Sequence, residues 1–102
     1  MAKSAKAVMI IEARNNILRN LDLVYPSGLT MKKLYQTVCA VNEMYDFNLL
    51  KRDVSYLKAK GYVDFIDNAI GGMPDIEQKV VKLTAQGLEI IQNIIDDPAL
   101  EI

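Results

Sequence analysis

Residues 48–68 read NLLKRDVSYLKAKGYVDFIDN. Leu50, Val54 and Leu57 stand at i, i+4 and i+7, the spacing of one buried helical stripe. Lys51, Arg52, Ser55, Tyr56 and Lys58 fall away from that stripe. Gly61 occupies the place where a helix end favours a left-handed residue, and Tyr62–Asp67 is β-prone. The stretch therefore predicts a helix over 48–60 with a basic, polar outer face. It stops at one glycine and passes directly into a strand.

Upstream, Ser4 is placed to cap a first helix over 4–24. Ile10, Ala13, Ile17, Leu21 and Val24 recur at spacings of three or four and predict its core face. Met9, Ile11 and Leu18 widen the apolar surface beyond one stripe. That surplus suits either deep packing within a monomer or a contact with a second subunit. Tyr25-Pro26-Ser27-Gly28 is a turn, and Thr30 is an N-cap for a second helix over 30–41, with Leu34, Val38 and Val41 facing inward. Residues 42–47 form a connection in which Met44, Tyr45 and Phe47 are expected to plug the core.

Downstream, a hairpin spans 62–83. Its strands are 62–68 and 79–83, its turn uses Gly71-Gly72, and Val81 and Leu83 alternate inward against Val63 and Phe65. Thr84 caps a last helix over 84–95, with Leu88, Ile91 and Ile95 as its stripe and Ile90 and Ile94 as a second apolar edge. Gly87 in the first turn suits close approach of a neighbouring helix. The order helix-helix-helix-strand-strand-helix predicts a mainly α, α+β single domain over 1–102.

The composition narrows the function. Histidine is absent, so the commonest general base and metal ligand is missing, and the one cysteine, Cys39, belongs to no ligand cluster. No Gly-rich phosphate loop follows a strand. An enzyme is not expected, nor is a metal or cofactor. Cys39 cannot form an internal disulfide, which fits a reducing cytoplasm, and its expected role is that of a small buried hydrophobe. No apolar run approaches the roughly 20 residues that span a bilayer, and no signal peptide is expected. The net charge of −1 hides an asymmetry. Residues 1–63 carry ten Lys and Arg against five acids, net +5; residues 64–102 carry two against eight, net −6. A basic front suits an oriented binder of a polyanion, while a pI near 5.3 keeps ordinary surface charge as the competing explanation.

Leu50–Val63, with its buried aliphatics, Lys60-Gly61 and strand-starting aliphatic, resembles the winged helix-turn-helix DNA-binding domain of bacterial and archaeal regulators. The run Lys82-Leu83-Thr84-Ala85-Gln86-Gly87 is similar to the entry into the last helix of such regulators. Together these motifs cover roughly residues 8–95 of the chain. A narrower resemblance, to small winged-helix proteins of Mu-like prophages, rests on Asp53–Leu57, Gly61-Tyr62-Val63 and the tail from Leu83 to Pro98.

The resemblance implies a transcriptional regulator that binds double-stranded DNA, with the helix over 48–60 reading the major groove. The reading positions would be Asn48, Leu49, Lys51, Arg52, Ser55 and Tyr56, with Lys58 a backbone contact further along. Lys32 and Lys33, at the start of the second helix, would approach phosphates; a solvated pair of lysines is the competing reading. A homodimer through helices 1 and 4 would space two such helices about 34 Å apart on DNA.

One feature departs from the family. Wings that enter the minor groove carry Arg or Lys near the tip. Here Asp67, Asp75 and Glu77 join Asp64 along the hairpin, and Ile70, Met73 and Ile76 are apolar. The alternative is therefore a protein-interaction winged helix whose partner docks on Ile70, Met73 and Ile76.

Overall fold

The computed structural model describes residues 5–41, 43–66 and 76–92. Its order is α1 (Ala5–Val24), β1 (Gly28–Thr30), α2 (Met31–Val41), α3 (Phe47–Ala59), β2 (Val63–Ile66), a 3₁₀ turn (Ile76–Gln78), β3 (Val80–Leu83) and α4 (Ala85–Ile91). The expected Ser4 cap, the wing-tip residues Ile70 and Met73, and the helical positions Ile94 and Ile95 lie outside the described residues.

α1 forms the spine. Ala13, Ile17 and Leu21 are buried as the periodicity predicts. Leu18, expected to lie on surplus apolar surface, is fully buried as well. The reason is tertiary: α1 packs against α2, α3, β1, β3 and α4, so it needs more than one apolar face. Val8 and Met9 remain exposed.

The sheet has three strands in the order β1-β3-β2, all antiparallel. The hairpin register pairs Val63 with Leu83 and Phe65 with Val81, as the alternation predicts. β1 was not expected. Gly28-Leu29-Thr30 follows the turn containing the cis Tyr25–Pro26 bond and pairs with Lys82, Val81 and Val80. Three residues carry little β signal of their own, and their backbone is satisfied by a strand far along the chain.

Several boundaries and faces move. α3 starts at Phe47 rather than Asn48, because Asp46 is its N-cap and accepts the Leu49 N–H at 2.8 Å. Tyr45 plugs the core and Phe47 is half-buried, but Met44 points outward at 80% exposure. Val41, placed inward by its spacing, is 78% exposed. It is the last residue of α2 and lines an open cleft between α1 and α2 with Met9, Ala13 and Val38. Cys39 is half-buried.

Within α4, Ile90 is buried deeper than Leu88 and Ile91, which inverts the expected stripe. Gly87 does admit a close neighbour, but that neighbour is a strand entry rather than a helix. A Cβ there would stand 2.1 Å from the Tyr62 carbonyl oxygen and 2.7 Å from Leu83 Cδ1. Helices α2 and α3, the β2–β3 hairpin and α4, packed around α1 with α2 and α3 also against the sheet, make a winged helix-turn-helix fold.

Candidate nucleic-acid interface

α3 is held at both ends. Asp46 caps its start, and its C-terminus closes in a Schellman arrangement: the Tyr62 N–H donates to the Leu57 carbonyl at 3.0 Å and the Gly61 N–H to the Lys58 carbonyl at 2.9 Å. Gly61 takes φ +80, the left-handed region that this motif requires. The Gln86 side-chain amide donates to the Lys60 carbonyl at 3.0 Å, so α4 also fixes the end of α3.

The inner face of α3 buries Leu50, Val54 and Leu57, and with them Asp53. Asn48, Lys51, Arg52, Ser55 and Lys58 are exposed and run along the opposite face at helical spacing. Two expected reading residues do not belong to that face. Leu49 and Tyr56 lie on its flank, half-buried against the core. The Arg14 guanidinium stacks 3.8 Å from the Tyr56 ring centroid. At 100° per residue, positions 49 and 56 point sideways, where Arg14 of α1 meets Tyr56 and the core takes in part of Leu49.

Lys32 and Lys33 are exposed in the first turn of α2. Two of the amides there are already engaged: Met31 N–H donates to the Lys79 carbonyl at 2.9 Å and Lys33 N–H to Thr30 Oγ1 at 3.1 Å. Any attraction for phosphate at this end rests on the lysine side chains more than on spare backbone donors. Lys32, Tyr35, Gln36, Phe47 and Glu77 line an open groove of about 310 Å³. Lys51 Nζ lies 5.9 Å from the Phe47 ring centroid, so Lys32 and Lys51 both border Phe47, joining the start of α2 to α3. Of the alternative partner-binding residues, only Ile76 is described; it is exposed in the 3₁₀ turn.

The sequence did not disclose the centre of this region. Asp53 is 0% exposed. Its Oδ2 accepts the Tyr45 hydroxyl at 2.6 Å and Arg52 Nη2 at 3.3 Å. Its Oδ1 accepts Arg14 Nε at 3.1 Å, Arg52 Nε at 3.2 Å and Arg52 Nη2 at 3.1 Å. A fully buried carboxylate is tolerated only when paired and hydrogen-bonded, and three side chains accomplish that here. Burial, and then the bond to Asp53, push the ionisation of the Tyr45 hydroxyl upward, so it stays a donor. One carboxylate facing two guanidiniums leaves the cluster with an excess positive charge. The sequence does carry a signal for it: Asp53 lies at i+3 from Leu50 and i−4 from Leu57, on the apolar stripe itself.

No protein-family model matches the chain, and no curated protein matches it. Among solved structures, that of SSV1 F-93 is similar, with a TM-score of 0.53 and 18% identity over 81% of this chain and 92% of that one. At that identity the likeness concerns the fold. Among the described residues, no helix is long and apolar enough to cross a membrane.

Proposed function

We propose that the chain binds double-stranded DNA, placing the outer face of α3 in the major groove with Lys32 and Lys33 toward the phosphates. The observation that carries this reading is the division of α3. Asn48, Lys51, Arg52, Ser55 and Lys58 are exposed along one face of a helix whose opposite face is buried and whose two ends are capped. A rigid helix with a cationic, hydrogen-bonding outer face is what groove entry requires. The same proposal takes the chain to be a non-enzymatic, cytoplasmic transcriptional regulator. It acts as a homodimer through α1 and α4, with the exposed Val8 and Met9 of α1 supporting that contact.

The test is fluorescence anisotropy with a labelled duplex across a salt series. Affinity is expected to fall linearly in log–log terms between about 50 and 200 mM salt. Lys51→Ala is expected to reduce the slope by about 1. Absence of binding at the lowest salt overturns the reading.

A second reading, a protein partner at the wing, is favoured by the exposure of Ile76 beside the acidic Glu77. It requires that Ile76→Asp abolish partner capture while Lys51→Ala leaves it intact.

A further inference from the structure

Arg52 and Lys51 are neighbours on the outer face of α3, and among the described residues Arg52 is the one of the two bonded to a carboxylate. A guanidinium has five N–H donors: one on Nε and two on each terminal nitrogen. Asp53 takes the side-on edge of Arg52: Nε donates to Oδ1 at 3.2 Å, and Nη2 donates to Oδ1 at 3.1 Å and to Oδ2 at 3.3 Å. Both Nη2 bonds go to this one carboxylate; among the described residues Nη1 meets no partner, and the Arg52 side chain is 39% exposed. The end-on edge is thus left available. Asp53 is itself immobilised by Arg14 from α1 and by Tyr45 from the connection before α3.

We propose that Asp53 is a positioning residue for Arg52, holding its side-on edge so that the end-on pair Nη1/Nη2 is presented as a fixed fork. This assignment rests on the DNA-binding reading and deepens it. A fork of two parallel donors matches the O6 and N7 acceptors of guanine in the major groove, a match that a point charge cannot make. Arg52 becomes the residue that discriminates sequence, while Lys51, resting over the Phe47 ring, supplies charge without a fixed direction. Because rotamer freedom has already been restricted in the free protein, little more is lost on binding.

The experiment starts from a pool of random-sequence duplexes enriched on the wild-type protein. The measured quantity is the ratio of affinities for the enriched duplex and a scrambled one. Arg52→Lys keeps the charge and leaves Asp53 with Arg14 and Tyr45, so its melting temperature should stay near wild type. Its ratio is expected to fall roughly tenfold, with the salt slope unchanged.

Asp53→Asn, confirmed as folded by circular dichroism, should lower the ratio similarly, and adding Arg52→Lys to it should change little further. A purely structural role for Asp53 would move the melting temperature and leave the ratio alone. An unchanged ratio in Arg52→Lys, additive losses in the double variant, or a wild-type pool that enriches no sequence each overturn the assignment while leaving DNA binding intact. Absence of any duplex binding by the wild type overturns the DNA reading and this assignment together.

Discussion

Two buried joints hold the elements of this molecule, and they are made of opposite materials. Around Asp53, α1, α3 and the segment before α3 meet through charge: a carboxylate with Arg14, Arg52 and Tyr45. Around Gly87, α4 meets the start of the hairpin through backbone. The Thr84 N–H donates to the Tyr62 carbonyl at 3.0 Å, the Thr84 hydroxyl donates to the Gly61 carbonyl and accepts from the Gly87 N–H, and Gly87 lies against Tyr62.

The backbone joint depends on the absence of a side chain at Gly87, and its donors and acceptors are consumed internally. The charged joint retains an excess guanidinium edge at the surface of α3. A chain that needed only stability could have made both joints apolar, since buried ion pairs are seldom superior to packed hydrophobes. The charged joint stands beside the face proposed to meet DNA, which is where directed hydrogen-bonding capacity has a use.

The largest expected effect is at Asp53. Asp53→Ala leaves the largely buried Arg14 and the Tyr45 hydroxyl without their acceptor, and should destabilise by about 3–5 kcal/mol in urea unfolding. A loss under 1 kcal/mol would mean that the joint relaxes into water and the contrast between the two is false. Next comes Gly87→Ala. Its Cβ would stand 2.1 Å from the Tyr62 oxygen, so α4 must shift, at a cost of about 1–3 kcal/mol by thermal melting. Because Gln86 also holds the end of α3, amide exchange at Gly61 and Tyr62 should speed up in this variant.

The smallest of the three is Tyr45→Phe, about 1.5–2 kcal/mol at neutral pH for one hydrogen bond to a charged acceptor. This substitution also carries a pH signature. The folded protein holds the Tyr45 proton beyond the ordinary range, whereas the unfolded chain releases it near pH 10. Above that value the unfolded state binds fewer protons than the folded one, so stability falls as pH rises. The contribution is fully present below pH 10. Tyr45→Phe should lose this alkaline decline, measured as the difference from wild type between pH 9 and 11.

Much of the fold was legible because its signals are local. The Leu50-Val54-Leu57 stripe, Gly61 and the alternation of Val81 and Leu83 are each written within a few residues, and each sits where the pattern placed it. The outer face of α3 was legible for the same reason: Lys51, Arg52, Ser55 and Lys58 follow from helical period alone. The errors fell where the deciding partner was distant. Periodicity points Tyr56 outward and the family resemblance adds Leu49 as a reading position, but neither tells whether Arg14 of α1 reaches Tyr56 or the core takes in Leu49. β1 has no local signature because its pairing partner is β3, fifty or more residues on.

By itself, then, the sequence determined the order of the helices and the hairpin, the inner and outer sides of α3, and the point where α3 ends. Those depend on backbone period and on one residue able to take a positive φ. Only the tertiary structure decided that Asp53 is buried, that Arg14, 39 positions earlier, meets it, and that Arg52 rather than Lys51 is bonded to it. Charge pairing across that separation depends on where folded elements bring side chains, and no local pattern encodes the distance between them. The same basic stretch that reveals the fold therefore carries two kinds of cation, and the buried carboxylate beneath it is what distinguishes them.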